Sequence, residues 1–321
     1  MKNNQIQGLR GISILLVLIY HFFARYRQLY HSGYSTNKIL MVSYMGVFFF
    51  LMISGYFFEK DNGGWLFIKK KISSLWPKYF VACTIIFLVT RFVELPGRTV
   101  GWVDYLKNIF FLNGFIGGEY VDGAHWYMTT MVACIIWYSL ILKINPKHRW
   151  IAYISWLAAY YACDFLRGHN VGGLGTLFTI AKNCLGGSYI AAVIMGSLIK
   201  RKQINIGSVI CALTCIFFVF RKMGGLLTVE MVLCAVIMLL VTNEKVPVLA
   251  NKFLVYIGGI SYSMYLIHQN LGFILIMKLE RNGYRLWMSF VALVFGILAG
   301  FLLETAFKEI PRLVKRKTIK A

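Results

Sequence analysis

Long apolar runs broken by short charged clusters dominate the chain. Each run covers about 17 to 25 residues, the length a helix needs to cross roughly 30 Å of hydrocarbon. The runs fall at 8–25, 40–58, 74–92, 125–142, 149–166, 175–199, 205–220, 225–242, 254–277 and 286–307. An eleventh candidate at 101–117 carries Asp104, Lys107 and Asn108, and it reads instead as an external amphipathic or re-entrant segment. The pattern predicts an all-α polytopic membrane helix bundle of about ten transmembrane helices. It forms one domain over 1–321, with no appended soluble domain and no internal repeat. The first run lacks a small-residue cleavage site behind it and reads as an uncleaved span.

Composition agrees: 59% of residues are hydrophobic, 16% aromatic and 14% charged, with mean hydropathy +0.66, well beyond a soluble domain. The net charge of +22 would suit a nucleic-acid binder, but the charges sit between the spans and follow the positive-inside bias. Ten spans with both termini cytoplasmic put most basic residues inside, including Lys2, Lys69 to Lys71, the 147–149 and 200–202 clusters, and the C-terminal run of Arg312, Lys315, Arg316, Lys317 and Lys320. Counting 101–117 as a span would export the later clusters. No nucleic-acid partner is expected, and membrane lipids are. Seven cysteines form no C-x-x-C pair, so neither disulfide nor metal chemistry is expected.

Chemistry enters with the opening span. In "LRGISILLVLIYHFF" (9–23), Arg10 and His21 are ionisable groups inside an apolar helix, where such groups face a partner or a site. Eleven residues separate them, a rise of about 16 Å and three turns plus about 20°, so both point to one side of the helix. Arg10 lies near the cytoplasmic interface and His21 deeper. A snorkelling arginine and a histidine bonded to a neighbouring carbonyl would satisfy the same pattern.

Six motifs then occur in a familiar order. "GLRGISILLVLIYHF" (8–22) resembles the opening of the membrane-bound acyltransferase-3 family, with Arg, ten residues, then His. "GVFFFLMISGYFF" (46–58), "FIKKKISSLWPKYF" (67–80), "AHWYM" (124–128), "IGGISYSMYLIHQ" (257–269) and "ETAFKEIP" (304–311) are similar to its later segments. Two departures stand out: "TTM" follows the Trp motif where acidic or amide residues are usual, and Gly259 replaces the usual basic residue after Gly258.

The resemblance implies a bacterial multi-pass protein of the cell (inner or plasma) membrane. It implies transfer of an acyl group, most often acetyl, from cytoplasmic acetyl-CoA or another acyl-CoA to a hydroxyl of a cell-surface polysaccharide or its lipid-linked precursor. Acyl-CoA is then a co-substrate, and no cofactor is bound permanently. His21 suits the role of general base, or of an acyl-imidazole relay. Arg10 suits donor phosphates, or alternatively the developing oxyanion. Lys69, Lys70 and Lys71 either assist the donor or are ordinary inside charges. Ser54, His125, Trp126 and His268 are supporting or acceptor-side candidates, with Asp122 or Glu119 as an orienting carboxylate for His125. Ser54 with Gly55 also suits close helix packing. Lys182, Glu230 and Glu304 are intramembrane charges expected to be paired or beside water. A transporter or exporter of a small anion or glycan is the alternative, although the missing repeat symmetry argues against it. A purely structural partner in polysaccharide assembly would leave Arg10 and His21 unexplained.

Overall fold

The computed structural model describes residues 3–32, 42–202 and 205–320, with side chains to residue 309. Lys2, positions 40 and 41 of the second apolar run, and the side chains of the C-terminal basic run from Arg312 lie outside the described residues. The apolar runs become helices because a segment surrounded by hydrocarbon must satisfy its own backbone hydrogen bonds, and no strand occurs among the described residues.

The chain opens with α1 (Asn4–Tyr30), capped by Asn3, whose Oδ1 accepts from the Gln5 and Ile6 amides at 2.9 and 3.1 Å. There follow α2 (Met45–Phe58), α3 (Gly64–Phe92), α4 (Trp102–Ile109), α5 (Trp126–Ile141), α6 (Arg149–Gly168), α7 (Gly175–Cys184), α8 (Ile190–Arg201), α9 (Ile206–Met223), α10 (Gly225–Thr242), α11 (Lys252–Leu279) and α12 (Leu286–Lys320). Six segments are long and apolar enough to cross a membrane alone: α1, α3, the α5 segment from Gly123, α9, α10 and the Leu286–Glu309 part of α12. The apolar Val42–Phe58 is shorter.

Three stretches differ in detail from the sequence pattern. The apolar run 175–199 is not one helix but α7 and α8, divided at Gly186 and Gly187, whose φ values of 96° and 83° glycine adopts readily. α3 starts ten residues before the run at 74–92, so the "IKKK" cluster is helical. The 101–117 segment holds the eight-residue α4, about 12 Å long, and a four-residue turn of helix at Asn113–Ile116, each too short to cross.

Two apolar cores organise the bundle. One gathers α2, α5, α6 and α8 to α10; the other gathers α1, α3, α11 and α12. The helices meet through missing side chains. A Cβ on Gly11 would lie 2.3 Å from the Leu254 carbonyl oxygen, and one on Gly258 would lie 1.9 Å from the Gln7 oxygen, so α1 and α11 touch backbone to backbone. Gly55 and Gly196 do the same for α2 and α8, facing the Val193 and Met52 oxygens at 1.9 Å each.

Ion pairs lock the ends. Arg149 Nη1 donates to Glu59 at 2.6 Å, its Nε and Nη2 donate to the Ile144 and Leu142 carbonyls, and Tyr153 donates to the same carboxylate. Asp164 takes Lys182 at 3.2 Å, Lys222 at 2.5 Å and Arg167 at 3.2 Å, which accounts for Lys182. Glu230 is 4% exposed, and neither oxygen has a side-chain or backbone partner among the described residues.

Two outcomes follow for the purified protein in detergent. Arg149→Ala leaves Glu59 buried without its cation and is expected to cost about 3–5 kcal/mol, read as a large fall in thermal midpoint; a midpoint near wild type contradicts the pair's role. Gly11→Leu wedges α1 from α11 and is expected to lower both folded yield and activity, whereas Gly168→Leu, at a helical glycine with open space around it, leaves more of each.

Candidate functional site

α1 is not uniform. Its Tyr20–Arg25 stretch is a π-helical turn, an arrangement found mostly as single turns inside α-helices and frequently at functional sites. Within it the Tyr26 amide donates to the His21 carbonyl, five residues back. His21 Nδ1 lies 2.8 Å from the Val17 oxygen, which also accepts from the Tyr20 amide.

The same nitrogen lies 3.3 Å from Nε2 of His268 on α11, the two rings meeting edge to face at 4.9 Å between centroids. His268 Nδ1 is in turn 2.8 Å from the Tyr265 carbonyl. A carbonyl can only accept, so each Nδ1 carries a hydrogen. His268 Nε2 is then a bare acceptor facing the His21 Nδ1–H. This tautomer assignment, made from the hydrogen-bond partners, leaves the His21 Nε2 lone pair uncommitted. It makes no hydrogen bond among the described residues.

Two cavities meet at this ring. The first, ≈ 390 Å³, is lined by Arg10, Ser54, Lys71, Lys78, Tyr127 and Glu304, among others. The second, ≈ 310 Å³, is lined by Tyr20, Arg25, Tyr44, Arg98, Tyr189 and Gln269. Val17, His21, Val47 and Trp126 border both. These four side chains form a neck, with Arg10 on one side of it along α1 and Arg25 on the other.

Charge is unevenly satisfied in the first cavity. Lys78 Nζ is 2.6 Å from Glu304, which also accepts from Ser263 at 2.7 Å. Lys71 and Lys70 both pair with Asp61, at 2.8 and 2.9 Å. Burial raises the Asp61 carboxyl's pKa, but hydrogen bonds and charge from the two lysines outweigh it and hold the group below its ordinary value. Arg10 makes no ion pair among the described residues; its Nη1 has only Gln7 Oε1 at 3.5 Å. Lys71 and Lys78 each have a carboxylate paired to them, at 2.8 and 2.6 Å, and Arg10 does not among the described residues.

The sequence candidates therefore separate. Arg10 and His21 line one hollow, as their spacing implied. Lys71 reaches it, while Lys70 is exposed on its pair with Asp61 and Lys69 points outward. Ser54 lines the wall but gives its hydroxyl hydrogen to the Phe50 carbonyl at 2.8 Å, and Gly55 beside it serves close packing. Trp126 is in the neck, its ring tilted against that of Tyr189 with centroids 5.0 Å apart. His268 stands directly behind His21.

His125 lies elsewhere. It is fully buried, its Nε2 is 3.0 Å from the Leu266 carbonyl, and neither cavity reaches it. Asp122 does not orient it by a hydrogen bond, because its two oxygens accept from the Ala124 and Asn270 amides, both at 2.9 Å. Glu119 contributes its backbone carbonyl to Asn108. His125 and Asp122 tie the α5 start to α11, while Glu119 is tied to α4.

Glu304 is paired and lines the first cavity, within what the sequence implied, but sequence reasoning passed over Lys78 as a cavity residue, and Arg25, Arg98 and Gln269 entirely. Arg25 follows His21 by one turn and Gln269 follows His268, so both were open to the same helical arithmetic. Arg98 is in a loop and offered no such signal. No group of three or more metal-ligating side chains occurs among the described residues, and the cysteines are free.

A family model described as an acyltransferase domain matches residues 3–307. No curated protein and no solved structure matches the chain. Because the match spans nearly the whole helical bundle, including the neck and both cavities, the chain belongs to the membrane acyltransferase-3 family.

Proposed function

We propose that this acyltransferase moves an acyl group, in the simplest case acetyl, from a cytoplasmic acyl-CoA to a hydroxyl of an envelope glycan or its lipid-linked precursor. The observation that carries the proposal is the position of His21, whose ring borders two cavities lying to either side of it along α1. A thioester entering past Arg10 and an alcohol entering past Arg25 would meet at one imidazole. The orientation follows the positive-inside bias, which puts the Arg10 end in the cytoplasm.

The chemistry is an alcoholysis. His21 Nε2 takes the proton of the acceptor hydroxyl as its oxygen bonds to the thioester carbonyl carbon. The tetrahedral oxyanion collapses, the carbon–sulfur bond breaks, and the imidazolium returns the proton to the departing thiolate. Proton transfer of this kind contributes about 10²–10⁴-fold. Arg10 holds donor phosphate in a charge-assisted contact, with Lys71 and Lys78 held near it by their carboxylates. His268 is a positioning residue: its lone pair favours the Nδ1–H tautomer of His21 and strengthens its hold once the ring is charged.

Convergence of both substrates on one ring supports direct transfer over an acyl-imidazole relay. Purified protein in liposomes, given labelled acetyl-CoA and an envelope glycan fraction, is expected to label the glycan. His21→Ala is expected to reduce this by about 10²–10⁴-fold, and no labelled protein should accumulate without acceptor. Undiminished labelling in His21→Ala, or solute flux independent of donor, contradicts the assignment.

His268→Phe keeps an aromatic ring behind His21 but removes the acceptor nitrogen. It is expected to lower kcat about tenfold, the scale of one modest hydrogen bond, with KM for acetyl-CoA unchanged. A rise in KM with kcat intact would instead make His268 a binding residue.

A further inference from the structure

The second cavity contains cations that the transfer chemistry above does not use. Arg25 lies one helical turn beyond His21, a rise of about 6 Å. Arg98 comes from the loop between α3 and α4 and reaches the same wall. Both lie near enough to His21 for their charge to act on its ring. The fold makes room for Arg98 by omitting a side chain: a Cβ on Gly123 would lie 1.9 Å from its Nη1 and 2.9 Å from Gln269 Nε2.

Neither guanidinium has a carboxylate. Arg25 Nη1 donates to Gln28 Oε1 at 3.3 Å, Arg98 interacts with the Tyr30 hydroxyl, and no ion pair involves either among the described residues. Residues 33–41, next in sequence to this end of α1, contain no Asp or Glu. The contrast with the first cavity is direct, because there Lys71 and Lys78 each have an acid. Holding two partly buried guanidinium groups together without a counter-charge is unfavourable, and an external anion offsets that cost through bidentate contacts. Beside them, Tyr20 and Tyr44 share a hydroxyl hydrogen bond at 2.9 Å and form with Tyr189 and Trp126 an aromatic wall on which a sugar ring can lie.

From this we infer that the acceptor is an acidic glycan. Its carboxylate or phosphate docks on Arg25 and Arg98 about one sugar width from the hydroxyl presented to His21. The inference rests on the acceptor entering from the Arg25 side and adds what that acceptor must carry. Gln269, on the same wall as Arg98, supplies a neutral hydrogen-bonding group to the sugar.

Equilibrium binding of oligosaccharides to the full-length protein in detergent tests it without requiring turnover. Three probes are used: a uronate-containing oligosaccharide, its carboxyl-reduced neutral counterpart, and an oligosaccharide of the same sugars bearing a phosphodiester. Wild type is expected to bind at least one anionic probe about tenfold or more tighter than the neutral one. Preference for the uronate identifies carboxylate as the source, and preference for the phosphodiester identifies phosphate. Arg25→Gln and Arg98→Gln are each expected to erase about tenfold of that preference, while Arg25→Lys retains part of it. Binding of acetyl-CoA and thermal midpoint should stay at wild-type values in these variants, which separates lost recognition from lost folding.

Equal binding of all three probes overturns the inference, as does weakened acetyl-CoA binding in the arginine variants, which would make the pair a donor-phosphate site. A failure of the transfer reading is distinguishable: glycan labelling is then absent or insensitive to His21→Ala, whatever the probe preference.

Discussion

Backbone meets backbone where α1 crosses α11, and the site depends on that contact. Gly11 lies against the Leu254 carbonyl and Gly258 against the Gln7 carbonyl, so no side chain spaces the two helices. In hydrocarbon, helices gain little from burying apolar surface against each other, and close van der Waals approach does much of the work. Here the approach also sets a register. Ten residues past Gly11 stands His21, ten past Gly258 stands His268, and the two rings come within hydrogen-bonding distance. Equal steps along two helices in contact carry a packing motif into a chemical one.

That register explains why an intramembrane histidine is tolerated. Each ring gives its Nδ1 hydrogen to a carbonyl on its own helix, Val17 for His21 and Tyr265 for His268. Buried polar groups are costly mainly when unsatisfied, and these two leave one lone pair to each other and one to the neck. The π turn at Tyr20–Arg25 contains His21, and the Phe22 carbonyl within it accepts from Ser289 of α12 at 2.6 Å. Trp126 completes the neck from α5, and its helix is held to α11 by Asp122, Asn270 and His125. These last residues act on the site through position.

Much of this was legible in the sequence. The apolar runs marked the helices, Arg10 and His21 were assigned to one face by counting residues, and the ordered motifs pointed to the family that the matched model shows. Helical arithmetic works within a single element. It fails where two elements must be combined: nothing along the chain says that His268 backs His21, that Asp122 serves backbone amides instead of His125, or that Arg98 crosses from a loop to α1. The split of 175–199 was hidden for another reason. Hydropathy averages over Gly186 and Gly187, while the backbone turns on their positive φ, and Lys182 is drawn aside to Asp164.

The central claim is that His21 is reached from two sides, by an acyl donor from one and an acceptor from the other. Sidedness measures it directly. Proteoliposomes of uniform orientation, with acceptor glycan sealed on one side and labelled acetyl-CoA supplied on either, report which arrangement yields product. The account predicts labelled glycan when acetyl-CoA is on the Arg10 face and glycan is on the Arg25 face, with none in the reverse arrangement. Equal labelling with both substrates confined to one face would contradict it.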